Sequence, residues 1–517
     1  MKLFYHLTAI VLLLNIEVVS ASNIDSVLNG LTFKSELEEK AIKSFLTDSA
    51  NYFSVFHAVD FEGTTGDVNS RKSQFEAFSK EFYTDKFTSS KASKQSKLIF
   101  NGVHDEYFDK YKLGAGFYEI FESGVYNCAT ASVLYGLMLE DLGIPYQIKV
   151  MPAHVYLIMY PDKEAIKLET TNPLKGYQIT DDKAKREYVK FLRDAKMISE
   201  KEYETQSVNQ LFETYYYDHS DIKLVEMIGI LYYNYGLMQF EEQKWELAFN
   251  EFEKAKVFFN EERVEFMLMA SLVNYLSVQE QLKYEDLKYV LKIAKYSKVE
   301  SHRKNVIAYF NSYINEKLID NGDAKSMIEA YYYVEANLTD TTLLNEIAFN
   351  YNFEMGRHYY AKGKYDASND FFGKALKEKP NNINVQGAFI ESLGIKLEHL
   401  EVDSAIKVVT NYWEEFPTLH SNAQFSSLIN TAYLIGALNA FNINQISYGE
   451  ECLESFEYHY EHSQTNALNI ELVAETYSTI AVYYYGKGQY KSAKNYINKG
   501  LKYAPNNYQL NRALQSF

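Results

Sequence analysis

From about residue 205 to the end of the chain, apolar residues recur three and four positions apart between short polar breaks, the pattern of amphipathic helices packed in succession. Nearer the amino terminus the pattern is less even. Residues 35–45 carry a helical period, 61–67 read as a loop, and 74–87 read as helix again. Residues 89–96 are polar, and a helix holding Leu98, Ile99, Val103 and Tyr107 begins inside them. Between about 124 and 180 the period changes. A helix over 129–142 closes on Gly143 and Pro145, a helix-stop pair. Apolar segments of strand composition follow at 146–150, 155–160 and 165–169. Residues 161–164, with Pro161 leading, form a turn that joins the last two as a hairpin. This is the one stretch of the sequence that argues for a sheet.

The first residues follow a third pattern. Met1-Lys2 is a short positive start, residues 3–14 are apolar apart from His6 and Thr8, and Val19-Ser20-Ala21 presents small residues where a signal peptidase cuts. Asn15 and Glu17 stop the apolar run well short of the roughly 20 residues needed to span a bilayer. The expectation is a cleaved signal over 1–21, a mature chain starting at Ser22, and a periplasmic or extracellular destination. No later stretch is long and apolar enough to predict a transmembrane segment.

Composition sharpens this. The 517 residues carry a net charge of −17, which excludes a general affinity for nucleic-acid backbone, since that needs clustered Lys and Arg. Only 23 Gly and 7 Pro occur, which favours long helices over turn-rich sheets. Two Cys exclude a disulfide-built scaffold. The 46 Tyr and 33 Phe are expected to pack between helices rather than to line a ligand box.

Within the helical half three segments repeat. Gly236 precedes Trp245, Ala248, Phe252 and Ala255. Gly356, Tyr359, Gly363 and Tyr365 precede Phe372, Ala375 and Pro380. Ala481, Tyr484, Gly488 and Tyr490 precede Ala493, Gly500 and Pro505. A weaker unit runs through Ala405, Trp413 and Pro417. These resemble the tetratricopeptide repeat, a unit of about 34 residues with small residues where two helices cross. The intervals between the three aromatic marks Trp245, Tyr365 and Tyr490 do not divide by that unit. The segments between are therefore degenerate or longer, and about seven to nine helical pairs are expected.

The chemistry centres on Cys128, at the point where a loop becomes a helix, with Asn127 or Thr130 placed to cap it. A thiol there faces the positive end of the helix dipole, and the unpaired N–H groups can hold an oxyanion. A nucleophilic Cys also needs a base and a group to orient it. His154 opens one strand of the hairpin and Glu169 closes the next. With a two- or four-residue turn, Glu169 stands opposite Tyr156 on the face that also carries His154, a cross-strand diagonal that a Glu side chain can bridge. A three-residue turn would place the two on opposite faces. Other fates for Cys128 are burial as an inert small hydrophobe or a disulfide with Cys452.

The order of Cys at a helix start, the Leu142-Gly-Ile-Pro145 exit, His on a strand and an acid on the next strand resembles the transglutaminase-like superfamily. The stretch 117–173 is similar to the transglutaminase-like domains of some secreted bacterial proteins with helical repeats. The resemblance implies a papain-like fold and a Cys-His-acid triad. Cys128 is then the nucleophile, His154 the base and acid, and Glu169 the orienting acid where Asp is usual. Asn172 is a substitute orienter, and Asn127 and Tyr126 are candidate oxyanion helpers.

The expected fold is therefore mainly α. A small α+β papain-like domain over 22–205, with its core at 98–180, precedes an α-solenoid of tetratricopeptide-type pairs over 206–517. The expected function is an exported cysteine-dependent amide-bond enzyme, peptidase or acyl transferase. Its repeats would hold a protein or peptide partner on their concave face. The alternative is a catalytically inert scaffold for protein interaction in the cell envelope. No cofactor is expected. The remaining His residues are scattered without metal-ligand spacing, and His459 and His462 read as one solvated helix face. Leu113-Gly-Ala-Gly116 lacks a preceding strand and is no nucleotide fingerprint.

Overall fold

The computed structural model describes residues 28, 30–47, 51–151, 154–170, 177–178, 185–186, 189–190, 192–193, 198–212, 221–297, 299–465 and 467–516. The expected signal segment and Asn172 lie outside the described residues. The fold is mainly α, a helical-repeat solenoid with a small α+β region. It divides into two compact units, Met1–Val278 and Gln279–Phe517.

In the first unit the described helices are α1 (Glu36–Thr47), α2 (Tyr52–Ala58), α3 (Thr65–Lys80), α4 (Asp85–Thr88), α5 (Ala92–Tyr107), α6 (Glu119–Ser123) and α7 (Cys128–Asp141). After the sheet come α8 (Glu200–Thr205), α9 (Val208–Phe212), α10 (Leu224–Glu241), α11 (Trp245–Phe258) and α12 (Glu262–Ser277). The loop read at 61–67 ends early. Thr64 and Asp67 form a reciprocal capping box, so α3 starts at Thr65. The single helix read over 74–87 is two, because the chain breaks after Lys80 and Thr84 caps a new turn.

The strands are β1 (Lys110–Tyr111), β2 (Val125–Tyr126), β3 (Tyr146–Met151), β4 (His154–Met159), β5 (Ile166–Leu168), β6 (Tyr177–Gln178) and β7 (Asp221–Ile222). Five of them form an antiparallel sheet in the order β6-β5-β4-β3-β7, while β1 and β2 make a short parallel pair. The turn between β4 and β5 keeps the expected register, with Leu157 opposite Leu168 and Met159 opposite Ile166. Val155, Leu157 and Met159 alternate into a core shared with α7, and Tyr156 and Ile158 pack on Val189, Leu192, Leu211 and Phe212.

The main core of this unit runs from Ile42 through Leu134 and Leu157 to Met227, Ile228, Phe259 and Val264. Helices α10–α12, read from the sequence as the first repeat beyond residue 205, thus share one apolar interior with the helices and sheet before them. That continuity is why the unit ends at Val278. A buried ion cluster pins the same elements: Lys254 on α11 bonds Glu38 on α1 at 2.7 Å and Glu251 at 3.0 Å, and Tyr232 donates to Glu38 at 3.0 Å.

The second unit is built of helix pairs, among them Thr341–Ala361 with Tyr365–Glu378, Ala423–Asn442 with Ile446–His462, and Ile470–Gly486 with Tyr490–Tyr503. A common turn joins each pair, with one left-handed residue two positions before the second helix: Gly363, Asn444 and Gly488. From Leu224 onward, fifteen α-helices are among the described elements. Small residues sit where helices cross: a Cβ at Gly356 would lie 2.5 Å from the Phe372 ring. Much of the Tyr packs ring on ring, as in Tyr331–Tyr351 at 4.0 Å and Tyr484–Tyr496 at 5.2 Å.

The expected solvated face at His459 and His462 needs correction. His462 is exposed, but His459 continues the buried line of Cys452 and Phe456 and lies between Tyr433 and Trp413. Burial there lowers its pKa to about 4.

Candidate active site

The site begins with one asparagine. Asn127 is the N-cap of α7, and its Oδ1 accepts from the N–H groups of Ala129 and Thr130, each at 2.9 Å. Thr130 returns the bond by accepting from the Asn127 N–H. The Asn127 amide nitrogen donates to the carbonyls of Leu113 and Ala115, both at 2.9 Å. The parallel pairing of β1 with β2 brings that loop alongside. The cap therefore fixes the helix start and ties the 113–117 loop to it.

Cys128 is the first residue of α7, partly exposed, and neither cysteine of the chain is in a disulfide. Asn127 takes up the N–H groups of Ala129 and Thr130 and leaves that of Cys128, which stands beside Sγ where an oxyanion would need a donor. The expectation that the Asn127 side chain supplies that donor is thereby corrected, since both of its amide hydrogens are committed to carbonyls. Tyr126 is no better placed. Its ring is buried and stacked on Phe108 at 4.3 Å, away from the cleft that Cys128 lines.

His154 opens β4 and lines the same cleft as Cys128. Its Nε2 meets Glu169 Oε1 at 2.8 Å, across the diagonal that the hairpin register sets. Lys167 Nζ stands 3.3 Å from Glu169 Oε2 and 4.1 Å from the centre of the Tyr156 ring, on which His154 also stacks. Burial works to lower the His154 pKa. The hydrogen bonds and charges of Cys128 and Glu169 outweigh it and raise the value to about 9. The imidazole is thus held protonated through neutral pH, which suits it to give a proton to a leaving group.

Cys128 and His154 open onto a cleft of about 740 Å³. One wall is the 113–117 loop with Asp60; the opposite wall comes from α10 and α12, including Leu231, Tyr235, Met238 and Arg263. Sequence reasoning found Cys128, His154 and Glu169, and the structure brings the three together. It missed Asp60 and the α10 wall. The Gly-Ala-Gly run, set aside as a nucleotide motif, was the available signal: a methyl group at Gly116 would collide with the Asp60 carboxyl.

Among the described residues no group of His, Cys, Asp and Glu could hold a metal ion, and no helix is long and apolar enough to cross a membrane. No family model matches the sequence, and no curated protein matches it. Among solved structures the chain aligns with Naa15/Naa10 bound to HypK-THB at 12% identity and a TM-score of 0.16, covering 86% of this chain and 65% of that one. This chain thus spans just under two thirds of that protein's length, and a score this low carries no argument about function.

Proposed function

We propose that this chain is an exported, cysteine-dependent amide-bond enzyme, a peptidase or acyl transferase of the transglutaminase-like kind, with helical repeats that hold a protein or peptide partner on their concave face. The observation that supports it is the placing of His154 on one cleft with Cys128 and with its Nε2 2.8 Å from Glu169 Oε1. A half-buried His beside a thiol at a capped helix start and against a carboxylate is the arrangement a thiol nucleophile requires.

In this reading Cys128 Sγ bonds to the amide carbon, and the carbonyl electron pair moves onto oxygen beside the Cys128 N–H. The pair returns, the C–N bond breaks, and His154 gives the leaving amine its proton. A thioester remains. Water or a second amine attacks it, passes a proton to His154, and frees Cys128.

The test is alkylation of the full mature chain by iodoacetamide at pH 6, with Cys128 and Cys452 resolved by peptide mapping. Cys128 should react well above a free thiol, and His154→Ala should bring it down. A Cys128 that labels no faster than a free thiol, unaffected by His154→Ala, would leave the inert helical-repeat scaffold as the function. That alternative draws on the repeat fold alone.

A further inference from the structure

Behind the 113–117 loop lies a group of five charged side chains from four segments. Glu38 on α1 and Glu251 on α11 share Lys254 at 2.7 and 3.0 Å. Lys34, ahead of α1, turns its ammonium to the Val59 carbonyl and to the Tyr235 ring, 4.2 Å from its centre. The fifth is Asp60, at the end of the α2 segment. Three carboxyl groups thus stand against two ammonium groups. The neighbouring Glu119 is held by its own partners, Lys112 and the Gly116 N–H.

Asp60 is the member of the group that lines the cleft. Its Oδ1 is sealed from solvent and accepts no hydrogen bond. Gly116 lets the carboxyl lie flat against the loop that carries Ala115 and Asn127 toward Cys128. The cleft lining supplies one further carboxylate, Glu241, and one guanidinium, Arg263, which lies over the Phe259 ring at 4.8 Å. The apolar walls from Leu231 and Met238 suit a methylene stem, and an unpaired buried carboxyl suits the cation at its end.

We propose that Asp60 anchors a basic side chain of the bound peptide, an ammonium or guanidinium that stays charged and does not itself react. The cleft thereby selects peptides with Lys or Arg beside the bond held at Cys128. This deepens the enzyme reading and rests on it for the word substrate, but the binding needs no turnover. Burial, with Glu119 adding to it and Lys34 opposing it, raises the Asp60 pKa to about 7, so the anchor carries its charge above neutral pH and gains most from a cation there.

The experiment is calorimetric titration of the full chain carrying Cys128→Ala with three probes: the N-acetyl, N-methylamide derivatives of lysine, arginine and norleucine. The two cationic probes should bind at least tenfold tighter than norleucine at pH 8, and lose most of that advantage at pH 5.5. Asp60→Asn in the same background should remove both the preference and its pH step. The step is read as what that substitution abolishes, because Lys34, Glu251 and His154 also face this region. Equal binding of norleucine, or a preference that survives Asp60→Asn, overturns the proposal. If Cys128 proves unreactive in the alkylation test while the Asp60-dependent preference holds, the enzyme reading falls and the cation site stands.

Discussion

Lys254 offers a direct measure of how firmly the first unit is tied together. Its ammonium and the Glu38 carboxylate are fully buried, and Glu251 beside them is nearly so. Lys254→Met keeps the volume of the side chain and removes the charge, leaving Glu38 with the Tyr232 hydroxyl and the Lys34 backbone N–H but without its ion-pair partner. Breaking a buried ion pair by removing one partner costs about 3–5 kcal/mol. For a unit of this size each kcal/mol is worth roughly 2–4 °C, so a fall of roughly 10 °C is expected. Glu38→Gln added to Lys254→Met removes the stranded charge and should recover at least about 1 kcal/mol, because replacing both partners is far less costly than replacing one. The chain provides its own assay. It has two Trp, Trp245 in the first unit and Trp413 in the second, so urea unfolding of a Trp413→Phe background reports the first unit through Trp245. A loss below about 1 kcal/mol on Lys254→Met, or no recovery in the double variant, would refute the reasoning from buried charge.

Glu169→Gln should lower the His154 pKa from about 9 by one unit or more, worth about 1.4 kcal/mol per unit. The alkylation rate of Cys128 as a function of pH reads this out, and an unmoved profile would show that Glu169 does not act on His154. Because the folded value lies above 6.5, the stability His154 contributes is complete below about pH 6.5 and disappears as pH rises through about 9, so wild type should lose stability across that window in urea titrations. Asp60 acts in the same direction at lower pH. An acid raised to about 7 binds its proton more tightly in the folded chain, so stability falls as pH rises from about 4 to 7, and Asp60→Asn should melt higher than wild type at pH 8 but not at pH 4. Gly356→Ala places a methyl 2.5 Å from the Phe372 ring and should cost about 1–3 kcal/mol, seen in the Trp413 fluorescence of the second unit.

The parts of this molecule legible in the sequence are those governed by short-range rules. The Cys128 helix start was readable because a cap residue precedes it, and the His154–Glu169 pair because a four-residue turn fixes cross-strand register. What escaped depends on pairings between distant residues. The destination of the Asn127 amide follows from two-residue strands too short to carry a period. The β7 strand that closes the sheet beside β3 is equally short. The helix pair that turns at Asn444 went unread because Asn takes the left-handed position that Gly363 and Gly488 announce more plainly. The first unit reaches Val278 because α10–α12 carry the repeat pattern while packing into the interior of the helices and sheet before them.

That shared interior has a consequence for the order of events during synthesis. Cys128, His154 and Glu169 have all left the ribosome well before Met227, Ile228, Phe259 and Val264, which complete their core. Until those residues emerge, the apolar face of α7 has no full cover and the far wall of the cleft does not exist. The thiol is thus made early and its site assembled late, so a chain arrested or cut near residue 205 would expose a bare cysteine without a pocket. The cleft lining is complete only once Arg263 has emerged, within a unit that ends at Val278.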